Sequence, residues 1–537
     1  MDIFLQIGQV INNIMSLFGA AIVVPIVILI ISLVMRVDLK KSLQGALYMA
    51  VGLTLFQAIL GILLGAIAPF VMQMSVNTGI TKPFIDVGWQ GASVIVYSNQ
   101  LGYLYLVLGL GVNLLLFALK ITDTFQPTDI WNYYQFVFWA IIVQFVTGSF
   151  WLGIISAVML NLVVLLMADI MAPALQEYYG YDNVTLTSVP LGGVVGAMLF
   201  QILFNKVLKI KDREVEGDDI SDRMGFWGEP MFIGLIIGLL IALLGSLHVL
   251  GDPGAWGSML SAMLVVAGIM VIYPTVSGLF VKGLVPLSQS MQTRIRSGKT
   301  NRKFFNIALD PAVFFGDARN LTTGLILIPI VFGISLILPG NNVLMLADVP
   351  AMPFMTVPFI VAFRGNIVKA VTAGAIWFSF SNILQSEVGE AFTQAAVSAG
   401  VANQVPAVAD AFDQGLGVAA WTVGTNPILW LVYKAFSVEG SLKFLTIALV
   451  AIGWLVVWFL FRRNRNAWHR AAGASQEFLD ERDALINGTP VETADDQADE
   501  VEVEVDAELD PDLEPSASAP VREASDVPES DNAQREG

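Results

Sequence analysis

The chain has 537 residues, 55% hydrophobic and only 14% charged, with no cysteine and a formal net charge of −17. A soluble protein of this length carries far more charge, and the missing thiols exclude disulfides, thiolate metal sites and a cysteine nucleophile. The acidity is local: residues 474–537 hold 21 Asp and Glu against 3 Arg, which leaves 24 acids and 25 bases in the rest.

The N-terminal MDIFLQIGQVINNIM has neither a basic n-region nor a small-residue cleavage site, so it reads as retained rather than as a signal peptide. Apolar windows at 18–35, 45–70, 101–119, 137–168, 229–249, 258–281, 321–339 and 442–461 each reach the length of a membrane span. The expected fold is an all-α polytopic membrane protein of about eleven transmembrane helices. Basic residues cluster at Arg36–Lys41, Lys206–Arg213, Lys282–Lys303 and Arg462–Arg470. The positive-inside rule puts all four on the cytoplasmic face, with the N-terminus out and the C-terminus in.

The chain also resembles itself. DVGWQGAS begins at Asp86 and DPAVFFGDA at Asp310, FVTGSFW (145–151) is echoed by AVTAGAIW (370–377), and the segment 18–29 aligns loosely with 227–238. The first segment of each half enters the membrane from opposite sides, so the expected architecture is an inverted-topology repeat, with its substrate site near the midplane. The expected boundaries are 1–225 and 226–441 for the two halves, 442–473 for the last span and its basic flank, and 474–537 for an acidic disordered tail. Asp86 and Asp310 each open a stretch too short to span, and Pro311 suits a first helical position. Both stretches read as re-entrant or broken helices, tolerated at membrane depth only where they line a cavity or lie within protein.

A hydroxylated solute needs carboxylates and amides beside an aromatic surface. Asp86 and Asp310 would accept hydroxyl protons, Gln90, Ser93, Asn132 and Gln135 would add contacts, and Trp89 would stack on a C–H face; Gly88 and Pro311 belong to the same broken-helix tips. Glu229, ahead of Pro230, suits a helix start. Each has a plainer alternative: Asp310 and Glu229 as helix-start carboxylates, Asn132 and Gln135 as caps before a span, and Trp89, Trp131 and Trp151 as interfacial belt residues. The two histidines, His248 and His469, read as solvated structural residues.

DVGWQGAS (86–93), DIWNYYQF (129–136), FVTGSFWLG (145–153), MGFWGEP (224–230), ALDPAVFFG (308–316), LPGNNVL (338–344), DQG (413–415) and NPILWLVYKAFS (426–437) occur in order. Together, across roughly residues 10–463, the chain resembles the galactitol-type enzyme IIC of the bacterial phosphoenolpyruvate-dependent phosphotransferase system, within the ascorbate–galactitol superfamily. The resemblance implies a homodimeric sugar-alcohol permease of the bacterial cytoplasmic membrane, embedded in lipid. A core domain carries the polyol by an elevator-type shift, and a separate IIB phosphocysteine, fed by IIA, phosphorylates it. The sequence has no P-loop, no HExxH zinc pair and no basic nucleic-acid-binding patch, so no cofactor, metal or nucleic acid is expected. The chain itself holds no phosphoryl-carrying residue, with Asp310 or Glu229 as the base for the accepting hydroxyl. It departs from the galactitol pattern at Gln135, where relatives carry histidine, and at TLTSVPLGG (185–193), where they carry Pro-His-Gly. That departure favours a related pentitol, hexitol or other sugar. The competing reading is an ion-coupled secondary transporter, in which midplane carboxylates are coupling sites; a non-transporting sensor whose acidic tail recruits a partner is a third.

Overall fold

A computed structural model describes residues 20–34, 36–126, 130–209, 229–296, 304–309, 311–314, 317–345, 347–348, 351–403 and 405–487. The described chain is mostly helical. In order it forms α1 (Ala20–Val34), α2 (Leu39–Thr78), β1 (Phe84–Asp86), α3 (Gly88–Ser98), α4 (Gln100–Ala118), β2 (Thr124–Phe125), α5 (Ile130–Thr147), α6 (Phe150–Tyr179), β3 (Val184–Leu186) and α7 (Val194–Ile202). It continues with α8 (Pro230–Gly245), α9 (Pro253–Arg296), β4 (Asn306–Leu309), α10 (Ala318–Ile337), β5 (Val343–Leu344), α11 (Ile367–Ala399), α12 (Pro406–Asp413), β6 (Gly417–Ala419) and α13 (Pro427–Phe436). The last elements are α14 (Leu442–Arg463), α15 (Arg465–Ala471) and α16 (Gln476–Asn487). Seven described helices are long and apolar enough to cross a bilayer, and shorter apolar helical stretches accompany them.

One group of helices, α1, α2, α8 and α9, packs on itself. α2 runs for 40 residues and α9 for 44, about 60 Å at the α-helical rise and well beyond the hydrocarbon thickness. Glycine sets their spacing, as expected where helices meet in lipid without a hydrophobic drive. A Cβ on Gly45 of α2 would lie 2.6 Å from the Gly283 carbonyl oxygen of α9. In α8, Gly234 and Gly238 are four residues apart and rest on the backbone of Ala267 and Met263.

The second group surrounds α5, whose residues from Phe136 to Val143 are completely buried, the mark of a helix apolar on every side. The apolar window at 137–168 is divided between two helices. Gly148 turns at φ +66° and the Ser149 hydroxyl caps α6 by accepting from Leu152 N–H.

Two small parallel sheets interrupt the helices. In one, β1 lies between β5 and β6, with Phe84 opposite Val343 and Gly417; in the other, β4 lies between β2 and β3. Each central strand comes from one half of the chain and both flanking strands from the other. The order helix, long helix, strand therefore recurs, with α1, α2 and β1 answered by α8, α9 and β4. The Asp86 and Asp310 echo fits this pattern, since Asp86 ends β1 and Asp310 directly follows β4. The echo between 145–151 and 370–377 does not, because the first is the turn between α5 and α6 while the second lies inside α11.

The C-terminal end closes over the same body. α14 is almost wholly exposed, as a lipid-facing helix would be. It holds on through one stripe: Trp454 Nε1–H donates to Leu162 O, Trp458 Nε1–H to Ile121 O, and Arg462 pairs with Asp123 at 3.2 Å. Arg465 also pairs with Asp123. The stretch expected to be disordered from residue 474 begins with structure, because α16 forms and buries Leu479, and Ser475 N–H donates to Glu177 at 2.7 Å. His469, expected to be solvated, is 2% exposed and donates from Nδ1 to Ile170 O at 2.9 Å. Burial, aided by nearby Arg482, lowers it to about 3, so it is neutral in the fold.

Candidate functional site

The β1 end of the first sheet carries two buried carboxyls, Asp86 and Asp348, and each of their four oxygens accepts at least one backbone N–H. Asp86 Oδ1 accepts from Gly88 N–H (3.2 Å) and Trp421 N–H (3.1 Å), and its Oδ2 from Asp348 N–H (2.7 Å). Asp348 accepts from Trp89 N–H (2.7 Å) and Thr422 N–H (2.8 Å), so its carboxyl lies beside that of Asp86, which its own N–H holds. Gly88 sits at φ +74°, where a Cβ would press on Ala347 at 3.0 Å, so the turn from β1 into α3 requires glycine. Sequence reasoning missed Asp348. Its only sequence signal is its place four residues after β5, as Asp129 stands four residues after β2.

The corresponding end of the second sheet is rich in amides. Gln135 Nε2 donates to Thr187 O (2.5 Å) and Ser188 O (2.8 Å), and its Oε1 accepts from Asn426 Nδ2 (3.4 Å). Thr187 Oγ1–H donates to Asn132 Oδ1 at 2.6 Å, and Gln126 Nε2 to the Asn132 carbonyl at 3.1 Å. All of these residues are buried. The Ser188 hydroxyl, 2% exposed, has no hydrogen-bond partner among the described residues. Leu309 of β4 pairs with Leu186 of β3, so the strand leads toward this cluster. Asp310, the next residue, lies outside the described residues.

One turn of α5 joins the two ends. Asn132 and Gln135 face Thr187 and Ser188, while Tyr134 faces Thr422 and Asp348. Further along α5, Trp139 Nε1–H reaches Val423 O at 3.2 Å. Asn132 and Gln135 are thus more than caps, since they bind across to residues 52 and more positions away.

The other expected site residues lie elsewhere or have their polar atoms engaged. Trp89 is half-buried and gives its backbone N–H to Asp348. Gln90 is exposed, and the Ser93 hydroxyl is used on the Gln90 carbonyl at 2.8 Å. Pro311 opens a short 3-10 turn, Pro311–Phe314, and is half-buried. Glu229 is the exposed N-cap of α8, a helix packed on α2 and α9, and stands apart from the amide cluster. Trp151 is 60% exposed, as a belt residue would be.

A family model described as the PTS system sugar-specific permease component (EIIC-GAT) matches residues 13–404. The PTS system galactitol-specific EIIC components of Escherichia coli strain K12 and of Escherichia coli O157:H7 are each 26% identical over 463 residues, 86% of this chain and 97% of theirs. A putative permease IIC component of Escherichia coli strain K12 is 27% identical over 461 residues, 85% of this chain and 99% of its own length. With apolar helices throughout and the family model matched over most of its length, this multi-pass membrane protein belongs to the EIIC-GAT family of phosphotransferase-system permease components.

Proposed function

We propose that this chain is the permease subunit for a galactitol-like polyol and that it holds the solute at the amide-rich end of the second sheet. The observation that carries the reading is the Ser188 hydroxyl, buried and without a partner beside Asn132 and Gln135. A buried polar group left unpaired is costly, and a polyol hydroxyl would satisfy it. Asn132 and Ser188 contact the solute in this reading, Asp310 accepts from a hydroxyl, and Gln135 positions the strand end. Asp86, with both carboxyl oxygens accepting backbone N–H groups, holds the β1 end in place.

The rest of the mechanism follows the family. The body around α5, α6, α10 and α11 shifts across the bilayer against the α1, α2, α8 and α9 bundle, in an inverted-repeat, homodimeric architecture of about eleven spans with the N-terminus outside. At the cytoplasmic side a separate IIB phosphocysteine, charged by IIA, donates its phosphoryl group. Phosphoryl transfer is chiefly positioning and charge stabilisation, and Asp310 takes the proton of the accepting hydroxyl.

Vesicles containing the purified chain test this. With phosphoenolpyruvate, the general phosphotransferase proteins, IIA and IIB, labelled polyol accumulates as its phosphate, and collapsing the ion gradients leaves uptake intact. Accumulation of free polyol that disappears with the gradient makes the chain an ion-coupled carrier instead.

A further inference from the structure

Asp86 and Asp348 come from opposite halves of the chain, are 1% and 0% exposed, and are joined by Asp348 N–H donating to Asp86 Oδ2 at 2.7 Å. Five backbone N–H groups converge on them, from Gly88, Trp89, Asp348, Trp421 and Thr422. Among the described residues neither carboxyl has an ion-pair partner. Two neighbouring carboxylates, both ionised and both out of water, repel strongly, and N–H dipoles offset only part of that cost. We propose that Asp86 and Asp348 share a single proton and together act as a positioning clamp that ties the β1 end of one half to the chain following β5 and β6 of the other.

The clamp explains why the five donors are arranged as they are. Trp421 N–H and Asp348 N–H reach Asp86 from the second half beside Gly88 N–H from the first, and Asp348 takes Trp89 N–H from the first half and Thr422 N–H from the second, so each carboxyl is held by both halves. The proton between them removes the remaining repulsion. Among the described residues, the Tyr134 phenol on α5, beside Thr422, also faces the pair. The same α5 turn carries Gln135, so the clamp fixes the helix that aligns the amide-rich end.

The sign of the pH dependence follows from the shared proton. In the unfolded chain two separate carboxyls both lose their protons near pH 4. The folded pair keeps one, so its contribution is fully present below that pH and declines as pH rises, until the pair's own proton is lost. The test is thermal unfolding of the full chain in detergent from pH 6.5 to 9, a window above the range in which protonation of the buried, neutral His469 destabilises the fold. The wild type should lose about 1–2 °C in Tm per pH unit relative to Asp348→Asn, in which the pair no longer shares a titrating proton. Asp86→Asn should flatten the profile in the same way if the first variant fails to fold. Infrared spectra of the wild type need no variant, and should show a protonated-carboxyl C=O stretch at pH 7 that disappears at high pH. Parallel profiles for wild type and the asparagine variants, or no protonated-carboxyl band at pH 7, overturn the proposal.

Discussion

Asp310→Asn is expected to slow IIB-dependent phosphorylation of the polyol by about a hundredfold or more while changing its affinity only a few-fold. A positioned general base contributes roughly 10²–10⁴ in rate, whereas an amide still accepts a hydrogen bond from a bound hydroxyl. The argument for Asp310 is one of register. Leu309 pairs with Leu186, and the residues after Leu186 are Thr187 and Ser188, whose carbonyls Gln135 holds. A carboxylate serving only to start the turn at Pro311 predicts something else, namely unchanged phosphorylation and at most a modest loss of stability. Single-turnover phosphorylation with purified phospho-IIB, measured beside equilibrium binding, separates the two roles.

The largest effect on stability is expected at Asp169. This residue lies on α6 and is 5% exposed. Its carboxylate accepts from Thr122 Oγ1–H (2.9 Å), Thr124 Oγ1–H (2.7 Å) and Asp123 N–H (3.1 Å). Those bonds shape the turn into β2, and Asp123 next to it receives both Arg462 and Arg465 from the C-terminal helices. Asp169→Leu removes the acceptor for three buried donors and loosens the anchor of α14 and α15. Losing the partner of a buried polar network costs about 3–5 kcal/mol, so the variant should accumulate poorly in the membrane. Whatever is recovered should unfold at a clearly lower Tm, whereas Asp483→Asn, at the partly exposed Arg482 pair, should behave as wild type.

The sequence made the helical, membrane-spanning class visible because apolar runs of bilayer length are rare outside membrane spans. The family was legible from ordered motifs, and the Asp86 and Asp310 echo located the ends of the two central strands. What the sequence hid was non-local. Strands of two to four residues leave no periodic signal, and nothing in FID or NIAL says that each will be flanked by strands of the other half. Asp348 escaped notice for the same reason, since its meaning lies in contact with Asp86, 262 residues away. Ser188 was visible only as part of TLTSVPLGG, and its lack of a partner is a property of packing. The acidity of residues 474–537 also masked α16, where a buried Leu479 outweighs the charge around it.

The claim at the centre of this account is that the polyol occupies the amide-rich end of the second sheet. Ser188→Ala tests it most directly, because the hydroxyl makes no hydrogen bond within the described chain and its loss should leave Tm unchanged or slightly raised. Equilibrium binding of the labelled polyol that supports phosphotransfer should weaken by about 3–10-fold, the value of one hydrogen bond to a buried hydroxyl, while Glu229→Gln binds as wild type. Unaltered affinity in Ser188→Ala, with binding abolished in Glu229→Gln, would place the solute elsewhere and contradict the account.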